Sequence, residues 1–228
     1  MQSSFELTAV GEVTYIWEKG VLRNESCSCG EPFLECPFWS QVVQDAVGKV
    51  SEKDALQFDA TFRKARGRLI SVATATGHFH HPEPLFAELV TALYSSAAKI
   101  GQGRPILDSS KAPAFAAAVR EVGVGKFGGL HVFRDACGNV QSLKTAKKRP
   151  HATDPEDAEI HPSRSILHAI ARWSILNRQA RQLVKSLKDD CATIFYEQFC
   201  RAPGESLAAL EEGFGLVQRK SDADGRSP

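Results

Sequence analysis

The stretch Gly129–Lys148, GLHVFRDACGNVQSLKTAKK, decides how the chain is read. Leu130, Val132 and Phe133 make a short apolar run with β-branched and aromatic members, the pattern of a buried strand in a parallel sheet. Polar residues follow at once. Arg134 and Asp135 fall where that strand ends, and Ala136 to Lys148 reads as a helix carrying Ser142, eight positions after Arg134. In open α/β sheets ligands bind outside the carboxyl ends of the strands, so a guanidinium there is placed to meet an anion. A planar Arg fork with a hydroxyl suits a phosphate. The same Arg could instead pair with Asp135 or another carboxylate at the strand end.

Strand-RD-x₆-S, preceded by Asp108-Ser109-Ser110-Lys111 at the end of another strand, resembles the sulfotransferases that use 3′-phosphoadenylyl sulfate. The resemblance implies that Arg134 and Ser142 hold the 3′-phosphate of that cosubstrate. It also implies a three-layer α/β fold with a parallel sheet of the P-loop nucleotide hydrolase type. The segment from GEVTYIWEKG through CPFW is similar to a characteristic stretch of the bacterial branch of the family.

The composition agrees with a soluble α/β domain. The chain has 228 residues, 43% hydrophobic and 24% charged, enough for one sizeable core over residues 1–219, with a polar tail at 220–228 that reads as disordered. Its 28 basic and 27 acidic side chains give a net charge of +1, which provides no field to draw it to nucleic acid or a membrane surface. No 18-residue apolar run and no signal-peptide core occur, so the expected location is the cytoplasm, without a membrane span.

Phe5–Val13 is a short apolar segment containing Gly11-Glu12, after which Thr14–Arg23 reads as the start of a helix. A Glu in a similar Gly-Glu pair is the base in protein-tyrosine and related sulfotransferases, which makes Glu12 the candidate base here. An alcohol attacking sulfur must lose its proton, and a positioned carboxylate can accept it. Glu12 can equally be a solvated carboxylate favoured by a helix N-terminus. The family also implies an earlier strand and a Gly/Arg/Ser/Thr-rich loop that wraps the 5′-phosphosulfate. Only four residues precede Phe5, so the expected fold is N-terminally truncated, without that first strand and loop. Gly123–Gly129, GVGKFGG, imitates a phosphate loop but precedes a strand and has Phe127 after Lys126, so it reads as a helix-to-strand turn.

Cys27, Cys29 and Cys36 cluster, whereas Cys137, Cys191 and Cys200 are scattered. A disulfide framework is not expected in a cytosolic chain of this size. Three thiols are one short of a closed zinc site, with His78, His80 and His81 as the nearest fourth ligands, and the spacing is not that of a standard finger. The alternative is a bent loop whose thiols act as small hydrophobes. No metal is assigned. The three histidines, in a Pro-flanked loop, read as exposed imidazoles.

Helical spacing marks residues 40–66, with Ser51 as a cap and Asp54 three residues on, and again Leu85–Ile100. Leu69–Thr76 is small and apolar and is broken by HFHHPEP. Arg104–Asp108 is a strand that opens into DSSK, followed by an Ala-rich helix over Ala112–Val122. Ser109, Ser110 and that helix's first amides can bind an anion, with Lys111 adding charge, and by resemblance they border cofactor and acceptor. A capping Ser beside a solvated Lys is the plainer reading. Lys147–Ser165 is rich in Pro and charge and has the length of a lid, which in the family covers the acceptor site. The long helix Ser163–Lys188 carries an apolar stripe from Ile166 to Leu187, and Trp173 with Asn177 resembles a W-x-x-x-N feature of the family. Thr193–Phe199 reads as the last strand and Pro203–Phe214 as the last helix.

The function implied is transfer of a sulfuryl group from 3′-phosphoadenylyl sulfate to a hydroxyl or amine on a small molecule, glycan, lipid or peptide, without a metal. Arg134, Ser142, Ser109 and Ser110 would hold the cofactor, Glu12 would be the base and Lys111 an assisting cation. The alternatives are a non-catalytic remnant that binds nucleotide or a partner through the 3′-phosphate half-site, and a small zinc-stabilised interaction protein built on the three clustered cysteines.

Overall fold

A computed structural model describes residues 5–76, 82–144, 147–148, 160–161, 165–188 and 190–217, with side chains omitted at 65–76, 142–144, 147–148 and 160–161. It is a mixed α/β chain dominated by helices. Strand β1 (Thr8–Gly11) leads into a 3₁₀ turn (Val13–Tyr15) and a π-helix (Ile16–Leu22), then α1 (Pro37–Val47), α2 (Glu52–Thr76) and α3 (Pro84–Ile100). Next come β2 (Ile106–Asp108), α4 (Pro113–Val122), β3 (Gly129–Phe133), α5 (Ala136–Lys144), β4 (Lys147–Lys148) and β5 (Ile160–His161). The chain ends in α6 (Ile166–Leu187), β6 (Cys191–Phe195), α7 (Tyr196–Arg201) and α8 (Pro203–Phe214).

Parallel pairing occurs as expected, but in two separate two-stranded sheets among the described residues. β1 pairs with β2, from Thr8↔Ile106 to Gly11↔Asp108, and β3 pairs with β6, from Gly129↔Cys191 to Phe133↔Phe195. Both pairs put their carboxyl ends where the sequence changes from apolar to polar. That is why Glu12, Asp108 and Arg134 all fall at strand ends.

The main core surrounds the first pair. Trp17, Phe62, Phe86 and Phe115 are all almost fully buried, and their rings meet edge-on or tilted at centroid distances of 5.1 to 6.4 Å. Such pairs add about 0.5–1.5 kcal/mol each beyond the area they bury. A smaller cluster of Ala117, Leu183 and Leu187 joins α4 to α6, and Phe127 touches both clusters. The Ser51 cap holds as read: Asp54 N–H donates to Ser51 Oγ at 3.2 Å, and Ser51 N–H donates to Asp54 Oδ2 at 3.1 Å. Gly123 closes α4 in the left-handed conformation, φ 75°, so GVGKFGG is indeed a helix-to-strand turn.

Several expectations are corrected. The helix after Arg134 stops at Lys144, because Lys147 and Lys148 pair in antiparallel fashion with His161 and Ile160. The stretch 147–165 thus begins as a short ladder. Tyr196–Phe199 is not strand, since the backbone turns into α7 directly after Phe195. Leu69–Thr76 continues α2. β3 is less covered than a buried strand: Gly129, His131 and Phe133 face α6, whereas on the other face Leu130 is half-buried and Val132 is 53% exposed. The apolar stripe of α6 is buried at Leu183 and Leu187 but exposed at Ile166 and Ile170, where α6 extends past the small cluster. His78, His80, His81 and the tail at 220–228 lie outside the described residues. Among the described residues, no helix is long and apolar enough to cross a membrane.

Candidate functional site

The carboxyl ends of β1 and β2 bring together residues about a hundred positions apart. Glu12 follows β1, and its carboxylate lies between two ammonium groups, Lys111 Nζ at 3.0 Å and Lys19 Nζ at 3.1 Å. Burial alone would raise the Glu12 carboxyl, but hydrogen bonds from Lys111 and Lys19 outweigh it and hold it below the usual carboxylate range. Lys19 comes from the π-helix, a rare element often found at functional sites, and also rests 4.4 Å from the Tyr15 ring centroid. Lys111 occupies the left-handed region at φ 56°, uncommon for a residue with a side chain.

Beneath this triad, Asp108 organises the end of β2. Its carboxylate accepts from Ser110 N–H at 2.7 Å, from Ser110 Oγ–H at 2.6 Å and from the Tyr94 hydroxyl. Burial raises the Asp108 carboxyl despite these donors, and burial with the neighbouring Asp108 charge pushes Tyr94 well above its ordinary value. Ser110 Oγ in turn accepts Thr14 N–H at 3.2 Å. The Ser110 proton is therefore engaged inside the protein, and Ser110 ties β2 to the turn after β1. Ser109 is exposed, with its N–H on Gly11 O at 2.7 Å. Glu12, Tyr15, Lys19, Cys27, Trp39 and Lys111 help line a cavity of about 440 Å³.

Arg134 stands on the other strand pair, half-buried at the end of β3. Its guanidinium is 4.8 Å from the Tyr196 ring centroid and has no ion-pair carboxylate among the described residues. The pairing with Asp135 that the sequence allowed does not form. Asp135 instead caps α5, its Oδ1 accepting Cys137 N–H at 2.8 Å, and Asp135 N–H donates to Glu197 Oε1 at 3.1 Å. Gly138 leaves room for the guanidinium: a methyl there would lie 3.2 Å from Arg134 Nε. The W-x-x-x-N feature ties this corner to α6. Trp173 Nε1–H donates to Arg134 O at 3.0 Å, Asn177 Nδ2–H to Trp173 O at 2.9 Å, and His131 Nε2 lies 3.1 Å from Asn177 Oδ1. Ser142 lies on α5, but its side chain is outside the described ones.

The cysteine loop is compact. Cys36 Sγ lies 3.5 Å from both Cys27 Sγ and Cys29 Sγ, without a disulfide. Burial pushes the Cys36 thiol up to about 11, although the Trp39 and Phe38 amides pull the other way, and the Glu31 amide lowers the Cys29 thiol.

The sequence names Glu12 and Lys111 singly; the structure puts them in one ion-paired group with Lys19, sets Tyr94 on Asp108 close by, and brings Gly138 against Arg134 on the other strand pair. Lys19 carried a weak signal, seven residues after Glu12 on a helical segment. Tyr94 carried none, being one apolar-face residue among many. No family model, curated protein or solved structure matches the chain.

Proposed function

We propose that the protein transfers a sulfuryl group from 3′-phosphoadenylyl sulfate to a hydroxyl or amine acceptor, in the three-layer parallel fold of the P-loop nucleotide hydrolase type. The observation that carries this reading is the Glu12 carboxylate held between Lys19 and Lys111 at the carboxyl end of a parallel strand, on the wall of a cavity. A carboxylate kept ionised there can accept the acceptor's proton as its oxygen attacks sulfur. The new O–S bond forms as the bond from sulfur to the bridging phosphate oxygen breaks, and that oxygen leaves with the electron pair. Lys111 and Lys19 supply positive charge beside the transferring oxygens, which lowers the barrier only if they sit closer to that charge in the transition state than in the ground state.

Arg134 fits the anionic end of the cosubstrate. A guanidinium over the Tyr196 ring, with no ion-pair carboxylate among the described residues, can present its forked donors to a phosphate. Ser109, exposed beside Lys111, and Ser142 on α5 are the other hydroxyls of the expected set, whereas Ser110 gives its proton to Asp108 and is left out of it.

Thermal shift with adenosine 3′,5′-bisphosphate tests the reading. At about 100 times its dissociation constant a ligand specific to the folded state adds about 2.7 kcal/mol, and the Arg134→Ala variant should lose that gain. A folded chain that shows no shift would sink it. A second reading, nucleotide binding without transfer, is favoured by one observation: Glu12 and Arg134 make their contacts on different strand pairs. A bisphosphate-dependent shift with no sulfate transfer to any of a panel of hydroxyl and amine acceptors would select it.

A further inference from the structure

We propose that Cys27, Cys29 and Cys36 form a three-thiolate zinc site that is open to solvent at Cys29 and has no fourth protein ligand among the described residues. The three sulfurs all lie within 4.8 Å of one another, and two of their three separations are 3.5 Å. Zinc bound tetrahedrally at about 2.3 Å to each sulfur needs edges of about 3.8 Å, so a small adjustment of two edges and contraction of the third completes the triangle.

The backbone builds this convergence from residues on both sides of the loop. Ser26 bridges to Pro32, Cys27 N–H donates to Glu31 O at 2.8 Å, and Gly30 N–H donates to Cys27 O at 2.9 Å. Gly30 takes φ 96°, which the tight turn after Cys29 requires and a side chain would resist. Cys36 arrives from the other side as the N-cap of α1, 2% exposed.

The donor set selects the metal. Three soft thiolates, with no carboxylate or imidazole joining the cluster among the described residues, suit zinc over calcium, magnesium or manganese. Zinc replaces the thiol protons, which pass to solvent, and no electron moves, so the cysteines stay reduced. With the ion bound, Ser26, Cys27 and Ser28 are fixed as one wall of the cavity that holds Glu12 and Lys111. The site does not depend on the sulfuryl-transfer reading, since it uses none of the residues assigned to it.

The test uses the full chain, reduced and freed of metal, titrated with zinc alone and separately with cobalt(II). The expected result is about one zinc per chain and a thiolate-to-cobalt charge-transfer band of a tetrahedral site. Zinc should protect Cys27, Cys29 and Cys36 from alkylation and leave Cys137 and Cys200, both exposed, reactive. Cys29→Ser alters an exposed side chain and should weaken zinc binding by more than about 100-fold, beyond the loss of an outer-shell partner. Cys137→Ser should leave affinity unchanged. Saturation below about 0.2 zinc per chain, undiminished affinity in Cys29→Ser, or equal alkylation of the six thiols with and without zinc would overturn the site. If Cys29→Ser does not fold, the cobalt spectrum and alkylation pattern of the unaltered chain decide.

Discussion

Lys111 Nζ lies 3.0 Å from Glu12 Oε1 across 99 residues of sequence, joining the end of β2 to the end of β1. Because Lys111 is 75% exposed, the pair is worth little to stability. Its consequence is a charge state. Lys111 and Lys19 hold the carboxyl below its ordinary value of 4.5, so Glu12 is ionised throughout the neutral range.

That lowered value gives a pH dependence with a definite sign. The unfolded chain binds the Glu12 proton more readily than the folded one, so the contribution is complete above about pH 4.5 and disappears as pH falls through the folded value. Glu12→Gln should therefore melt lower than the unaltered chain at pH 7, by an amount equivalent to no more than about 1 kcal/mol after solvent screening. The gap should close on acidification. Melting curves from neutral pH down to about pH 3 check this, and a gap that persists would show that the lysines do not lower the Glu12 value.

Asp108 and Tyr94 carry more weight, because their groups are buried among their own partners. Asp108→Ala removes the acceptor for the Tyr94 hydroxyl and for both Ser110 donors. Each orphaned buried donor costs about 1–3 kcal/mol, so a loss of at least about 2 kcal/mol is expected in urea unfolding. Tyr94→Phe leaves Asp108 with both Ser110 donors and should cost about 1 kcal/mol. Equal losses for the two variants would show that Tyr94, not Ser110, is the partner that matters.

Gly138→Ala separates ligand binding from stability. A glycine inside α5 costs about 1 kcal/mol relative to alanine, so the substitution should raise the melting temperature. The added methyl would also stand 3.2 Å from Arg134 Nε and press on the guanidinium over Tyr196. Affinity for adenosine 3′,5′-bisphosphate should then fall, by about three- to tenfold for a shift of a few tenths of an ångström. A more stable protein with unchanged affinity would remove Arg134 from the phosphate site.

The strand ends were legible in the sequence because apolar runs stop abruptly there: FELTAVGE, PILDSSK and HVFRD each announce a polar turn, and each is one in the structure. Local signals also carried the Ser51–Asp54 cap, the turn at Gly123 and helices α3, α4 and α8. Partners in space were not legible. Lys19 reaches Glu12 only because residues 16–22 wind as a π-helix, which no periodicity rule anticipates. Thr193–Tyr196 has strand propensity and Phe199 extends the apolar pattern, yet β3 offers partners only as far as Phe133, so the strand stops opposite it at Phe195. Cysteine spacing alone left the loop undecided, since the turn at Gly30 and the cap at Cys36 bring the sulfurs together through backbone geometry.

Gly101 shows how a residue remote from the cavity sets its frame. It ends α3 against β1, and a methyl there would lie 2.5 Å from Thr8 Oγ1 and 2.8 Å from the Ala97 carbonyl oxygen. Gly101→Ala should therefore cost about 1–3 kcal/mol in urea unfolding, the usual range for forcing extra volume into a packed contact. Adding Thr8→Ala removes the first clash and leaves the second, so the double variant should recover part of the loss, with a coupling energy of about 0.5 kcal/mol or more. Simple additivity would mean that the Ala97 carbonyl bears the strain. β1 ends three residues after Thr8, at Gly11, so a displaced β1 should also disturb Glu12 and shift its carboxyl toward the ordinary value in Gly101→Ala but not in the double variant. Side-chain carboxyl titration by nuclear magnetic resonance reads that shift directly.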